Sequence, residues 1–247
     1  TAQEDFARQV RKTNFAEGER LLAKINSART ANEKARNWVT YRQSSADGTK
    51  DLGEGLTTIM DRIPTDKEDL FQEYIFTKHH IDRLAKGKPI LGLTKAQSIQ
   101  RIQDIFNSLT PEEKKLFNDT DLAIRGYIDN LRQYGIDTGL ITQKQVDLFE
   151  QMYPNYIKTA RQRGGAFVVS NSQNSKVKQI IKQASRSDTP ILPLREQLKI
   201  LTNDYVVTGQ YNDMIRELAK ARGVVTKGKP QKVGASLTAS HQLGADG

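Results

Sequence analysis

Three histidines, two glutamates set among apolar neighbours and one glycine pair beside arginines are the side chains of this 247-residue chain whose type and setting could carry chemistry. A serine or threonine nucleophile needs a base, and histidine is the usual one. His79 and His80 are adjacent on a predicted helix, and His241 lies near the end of the chain. Neighbouring helical side chains point about 100° apart, so the pair does not converge on one site, and both are expected as surface or partly packed residues. Acid hydrolysis of a glycoside would need two carboxyl groups meeting in a cleft, for which Glu73 and Glu150 are the nominal candidates. Arg163-Gly164-Gly165 lacks the spacing and the strand-to-helix setting of a phosphate loop. The chain has no cysteine, which excludes disulfides, thiolate metal sites and a cysteine nucleophile, and three histidines give little scope for a metal cage. No catalytic residue, metal site or cofactor is assigned.

The charge is more informative. The chain carries 38 Lys and Arg against 29 Asp and Glu, a net +9. Residues 1–157 sum to zero, so the surplus lies in the last third. It is densest where Lys158, Arg161, Arg163, Lys176, Lys178, Lys182 and Arg186 face no acidic residue, which makes these seven the candidates for binding a polyanion, either nucleic acid phosphates or an acidic protein surface. Phe167 is the only aromatic residue among them, so base stacking has little support.

Helices must position whatever these residues do. Residues 2–41 form a proline-free run rich in Glu, Arg, Lys and Ala, with a break expected near Asn14 or Gly18. Ser44 to Gly55 has the chemistry of turns and loops. Four helix starts are marked by a Thr followed three residues later by Glu or Gln, at Thr65, Thr94, Thr110 and Thr142, the reciprocal capping box. Apolar stripes follow each, Gly87 and Gly139 mark helix ends, and a long helix runs from about Leu194 to Arg222. The longest uninterrupted apolar stretch, Ala166 to Val169, is far short of the ~18 residues needed to span a membrane.

The expected fold is all-α: an elongated multi-helix bundle with an irregular or extended segment near 157–175 and loosely structured termini. Its expected divisions are a helical arm (1–43), a linker (44–64), a helical bundle (65–157), a basic connecting segment (158–187), a long C-terminal helix (188–223) and a tail (224–247). The arm is expected to pack on a neighbour as readily as on its own domain. The chain begins at Thr1 and is expected to be a piece of a longer polypeptide.

Gly139-Leu140-Ile141, then Tyr153-Pro154-Asn155-Tyr156-Ile157 with Thr159 and Arg161, resembles a segment of large internal virion proteins of tailed bacteriophages, the large polyvalent virion proteins. Pro190 and Pro193 ahead of a long helix carrying Tyr205 and Asn212 are similar to the same proteins, and Lys158 stands where their pattern more often has proline. The resemblance implies a non-enzymatic cargo or ejection protein, packed in the capsid, portal or tail lumen against other virion proteins, copies of itself and packaged DNA. It would lie in the virion, and in the host cytoplasm during assembly. Two alternatives stand beside it. One is a helical nucleic-acid-binding protein using residues 158–187; the other is a fragment of a virion-associated cell-wall hydrolase with Glu73 or Glu150 as general acid.

Overall fold

The computed structural model describes residues 1–159 and 191–223, and in them the long N-terminal run is cut where the sequence offers caps. Helix α1 (Ala2–Thr13) opens on a capping box between Thr1 and Glu4 that the sequence reading passed over. It ends at Asn14, whose extended backbone breaks the helix and whose side chain accepts from the Glu17 amide to start α2 (Phe15–Arg29). Gly18 is not the break. It lies inside α2 against the Arg11 backbone, where a Cβ would come within 2.3 Å. A second, unanticipated break falls at Thr30, before α3 (Ala31–Thr40).

The expected loop at 44–55 contains regular structure. β1 (Arg42–Ser44) pairs antiparallel with β2 (Asp51–Glu54), with an irregularity between Gln43 and Ser44. The Asn130 carboxamide fixes this hairpin to the bundle by donating to Gln43 Oε1 at 2.8 Å and to the Leu52 carbonyl at 3.1 Å. A long-range anchor of this kind leaves no local signature in the turn residues.

After the short α4 (Leu56–Met60) come α5 (Glu68–Leu84), α6 (Lys95–Asn107), α7 (Pro111–Asp137), α8 (Gln143–Met152) and α9 (Leu194–Ala221). The boxes at Thr94, Thr110 and Thr142 close reciprocally with Gln97, Glu113 and Gln145. The one at Thr65 does not. A 3-10 turn over Thr65–Lys67 takes up those residues, with the Lys67 amide bonded to the Pro64 carbonyl at 2.8 Å, and α5 starts at Glu68 without a side-chain cap. The fold is all-α, with one two-stranded sheet among the described residues.

Helix α9 is the axis on which the rest is assembled, since 18 of its 28 residues are buried. Its first half joins the main core, where Leu198, Leu201 and Val206 meet Trp38, Phe71, Phe117, Tyr127 and Leu131. Its second half supplies Met214, Ile215 and Leu218 to a smaller core with Ala7, Leu21, Ile25 and Ala28 of α1 and α2. Residues 1–40 therefore pack on their own chain, and Lys24 adds an ion pair to Asp213 at 2.6 Å. Helices α7 and α9 cross on glycines: a Cβ at Gly135 would lie 2.8 Å from the Tyr205 ring, and one at Gly209 would lie 2.7 Å from the Thr138 hydroxyl. That close crossing sets the depth at which Tyr205 faces α8 and the segment after it.

Candidate functional site at the Tyr-Pro-Asn-Tyr segment

Proline at 154 disfavours helix at the residue before it, and α8 stops accordingly at Met152. The chain then turns sharply, with the Tyr156 amide bonded to the Tyr153 carbonyl at 3.1 Å. Residues 153–157 cross the bundle as a strap, with Tyr153 and Ile157 buried. Each part of the strap has a partner. The Asn155 amide donates to Asp82 Oδ2 at 2.6 Å and its carboxamide to Oδ1 at 3.1 Å. Arg125 donates to the Pro154 carbonyl at 2.9 Å. The Tyr156 ring meets Phe149 edge to face at 4.4 Å between centroids, and Tyr153 lies 5.3 Å from Phe149 with the Arg83 guanidinium 5.8 Å over its ring.

The other motif residues are also structural. Gly139 has φ +65°, a left-handed conformation that ends α7, and the Arg216 side chain closes over it so tightly that no Cβ fits. Leu140 is buried in the main core. Arg161 lies outside the described residues.

The expectation of surface or partly packed histidines is overturned, because both are fully buried. The two do point apart, as helical neighbours should. His80 faces the loop after α5, where its Nδ1 accepts from the amides of Ile90 and Leu91, each at 3.1 Å, and its Nε2 donates to the Leu93 carbonyl at 2.9 Å. Those partners define the neutral Nε2–H tautomer, and burial lowers the ring's pKa. His79 faces the strap, 5.4 Å from the Tyr156 ring and 6.3 Å from that of Tyr153. Neither of its nitrogens makes a hydrogen bond. Burial, followed by the charges of Arg83, His80 and Arg125, lowers its pKa to about 3, with the Asn155 backbone only a small opposing influence. One sequence signal points to this burial: Phe71, Ile75 and His79 recur at four-residue spacing on the apolar face of α5.

Between α7, α8 and the strap lies a cleft of about 270 Å³ bordered by Arg125, Asp129, Arg132, Glu150, Pro154 and Tyr156. It shares Ile128, Arg132 and Tyr156 with a recess of about 30 Å³ walled by Val146, Phe149, Leu201 and Tyr205. Burial raises the Tyr156 phenol above its ordinary range and Tyr205 to about 12. The cleft's charges are spent on one another. Arg132 Nη1 donates to Asp129 at 2.8 Å and to Glu150 at 3.0 Å, while Arg125 also pairs with Asp121 at 3.0 Å.

This geometry bears on the sequence-based candidates. Glu150 is bridged to Asp129 by the Arg132 guanidinium. Glu73 lies on α5, bound by Arg101 of α6 through bonds of 2.6 and 2.8 Å. The two acids do not share a site. Lys158, expected to meet a polyanion, is ion-paired instead with Asp204 of α9, and both side chains are largely buried. Its charge is neutralised inside the fold, a pairing invisible in a sequence where the partner is 46 residues away. Arg163, Lys176, Lys178, Lys182 and Arg186 lie outside the described residues, as does His241. Among the described residues no group of three or more His, Cys, Asp or Glu is placed to hold a metal ion, and no helix is long and apolar enough to cross a membrane.

The chain matches no family model, no curated protein and no solved structure. The fold itself defines a class: an all-α protein built round one buried helix, with an aromatic strap tying α8 to α5 and α7.

Proposed function

We propose that this chain is a non-enzymatic structural component of a tailed-phage virion, an internal cargo or ejection protein packed in the capsid, portal or tail lumen. The observation that carries the reading is the use to which the virion-like motif is put. Tyr153, Pro154, Asn155 and Tyr156 all bind other parts of the fold, Gly139 ends a helix under Arg216, and Leu140 fills the core. A motif consumed by packing fits a building block whose product is an assembly. The test is to follow this chain's peptides in purified particles from the host that carries the sequence. Protection from protease in intact particles and loss from emptied ones is the expected result; absence from purified particles overturns the proposal.

A second reading, contact with nucleic acid, is favoured by where the charge falls. Residues 160–190 hold six basic side chains against one acidic, and residues 224–247 hold three against one. Seven of the nine surplus charges thus lie outside the described residues, which are near neutral. Duplex DNA binding that weakens steeply with salt, and is lost when Arg161, Arg163, Lys176 and Lys178 are replaced by Gln, is expected. Unlike those four, Lys158→Gln should leave the salt dependence unchanged, since its charge is already matched by Asp204. Binding insensitive to salt overturns this reading.

A further inference from the structure

His79 has no part in the reading above, and it is the least satisfied titratable group among the described residues. Its ring is fully buried with both nitrogens lacking hydrogen bonds, an arrangement that native folds rarely keep without a use. We propose that residues 153–157 are an acid-released strap, held shut over a neutral His79 and opened when that imidazole takes up a proton.

The geometry carries the argument. With the strap closed, the ring packs against Tyr153 and Tyr156 and has no exposed surface. Facing it are Arg83 and His80 from its own helix, Arg125 from α7, and the two phenols from the strap. The carboxylates bordering this cluster are already engaged: Asp82 by Asn155, Asp121 by Lys78 and Arg125, and Asp204 by Lys158. A proton added to the closed ring would therefore create a buried cation facing other cations, with only the Asn155 backbone placed to offset it. Opening the strap exposes the ring to water and removes that penalty.

The direction follows from proton linkage. The closed state holds its imidazole neutral down to about pH 3, whereas a solvated histidine takes up its proton near pH 6.5. Only the open state binds the proton between those values, so acidification favours opening throughout that range. From pH 8 to pH 5 the open-to-closed ratio should rise about 30-fold. The closing contacts from Asp82, Arg125 and Phe149 keep the strap down at neutral pH. Opening frees the end of α8 and bares Phe149, Tyr153 and Tyr156 together.

Amide hydrogen exchange of the full chain tests this, with rates corrected for intrinsic pH dependence. Protection of the Asn155 and Tyr156 amides, bonded to Asp82 and to the Tyr153 carbonyl, should fall about 30-fold between pH 8 and pH 5, while amides 124–134 of α7 keep theirs. His79→Phe, which fills the site without a proton-binding group, should abolish the response. PH-independent protection of the strap, or a response that survives in His79→Phe, overturns the proposal. Should that variant fail to fold, C2–H exchange of His79 in the unaltered protein decides: a midpoint far below 6.5 supports the strap, and an ordinary midpoint with the Asn155 and Tyr156 amides still protected overturns it.

Discussion

Asp82 holds Asn155 with both carboxylate oxygens, one on the backbone amide and one on the carboxamide, across 73 residues of sequence. Two bonds to one carboxylate fix the strap's position and its orientation, and bonds to a charged acceptor are the stronger kind. Asp82→Ala should cost about 2–3 kcal/mol. At about 2–4 °C per kcal/mol for a chain of this size, the loss is readable in a thermal melt. Asn155→Ala should cost less, because the backbone bond remains. Equal losses would show that the carboxamide carries the whole interaction.

Lys158 and Asp204 should be strongly coupled. Removing the lysine alone, as Lys158→Met, leaves a mostly buried carboxylate without its cation and should cost about 3 kcal/mol. The double variant Lys158→Met with Asp204→Leu should recover most of that loss. Denaturant melts of the two singles and the double complete the cycle; additive losses would mean that the pair does not interact.

Two glycines should respond oppositely to alanine. Gly126 is exposed inside α7 with nothing within 4 Å of an added Cβ, so Gly126→Ala should stabilise by about 0.5–1 kcal/mol. Gly139→Ala places a side chain at positive φ and against the Arg216 guanidinium, and should destabilise by more than about 1 kcal/mol. Pairing it with Arg216→Ala should restore only the steric part. Chemical denaturation of the three variants distinguishes backbone strain from crowding.

Stability should fall in alkali. Burial raises the phenols of Tyr127, Tyr134 and Tyr156 above the ordinary value of 10.0 and Tyr205 to about 12. A group whose folded value is raised contributes stability fully below its unfolded value and loses it as pH rises through the folded one. The fold should therefore weaken from about pH 10 upward. Tyrosinate absorbance should show these four of the eight tyrosines ionising only as helical signal is lost. Ionisation of these four with the helices intact would contradict the burial.

What the sequence makes legible is what it specifies locally. The caps at Thr94, Thr110 and Thr142, the helix ends at Gly87 and Gly139, and the span of α9 all follow from residues within a turn or two of the feature. The failures share the opposite property. The hairpin depends on Asn130 and the neutralisation of Lys158 on Asp204, while the covering of His79 depends on a segment more than seventy residues later. At Thr65 even a local pattern failed, because Lys67 bonded back to the Pro64 carbonyl and a competing turn took the residues that the box required. The motif at 153–156 was readable as a motif, but its role as a strap was not, since of its partners only Phe149 is near it in sequence.

The position of α9 governs the order in which the molecule can be made. Lys24 and Asp213 are separated by 189 residues, and the small core that joins α1 and α2 to Met214, Ile215 and Leu218 spans the same interval. During synthesis the apolar faces of the first two helices leave the ribosome long before their partner exists. Such distant contacts make folding slow and leave sticky surface exposed meanwhile. Completion must wait for the last turns of α9, so a nascent chain halted before residue 214 would present its earliest helices, uncovered, to whatever chaperone or sister chain arrives first.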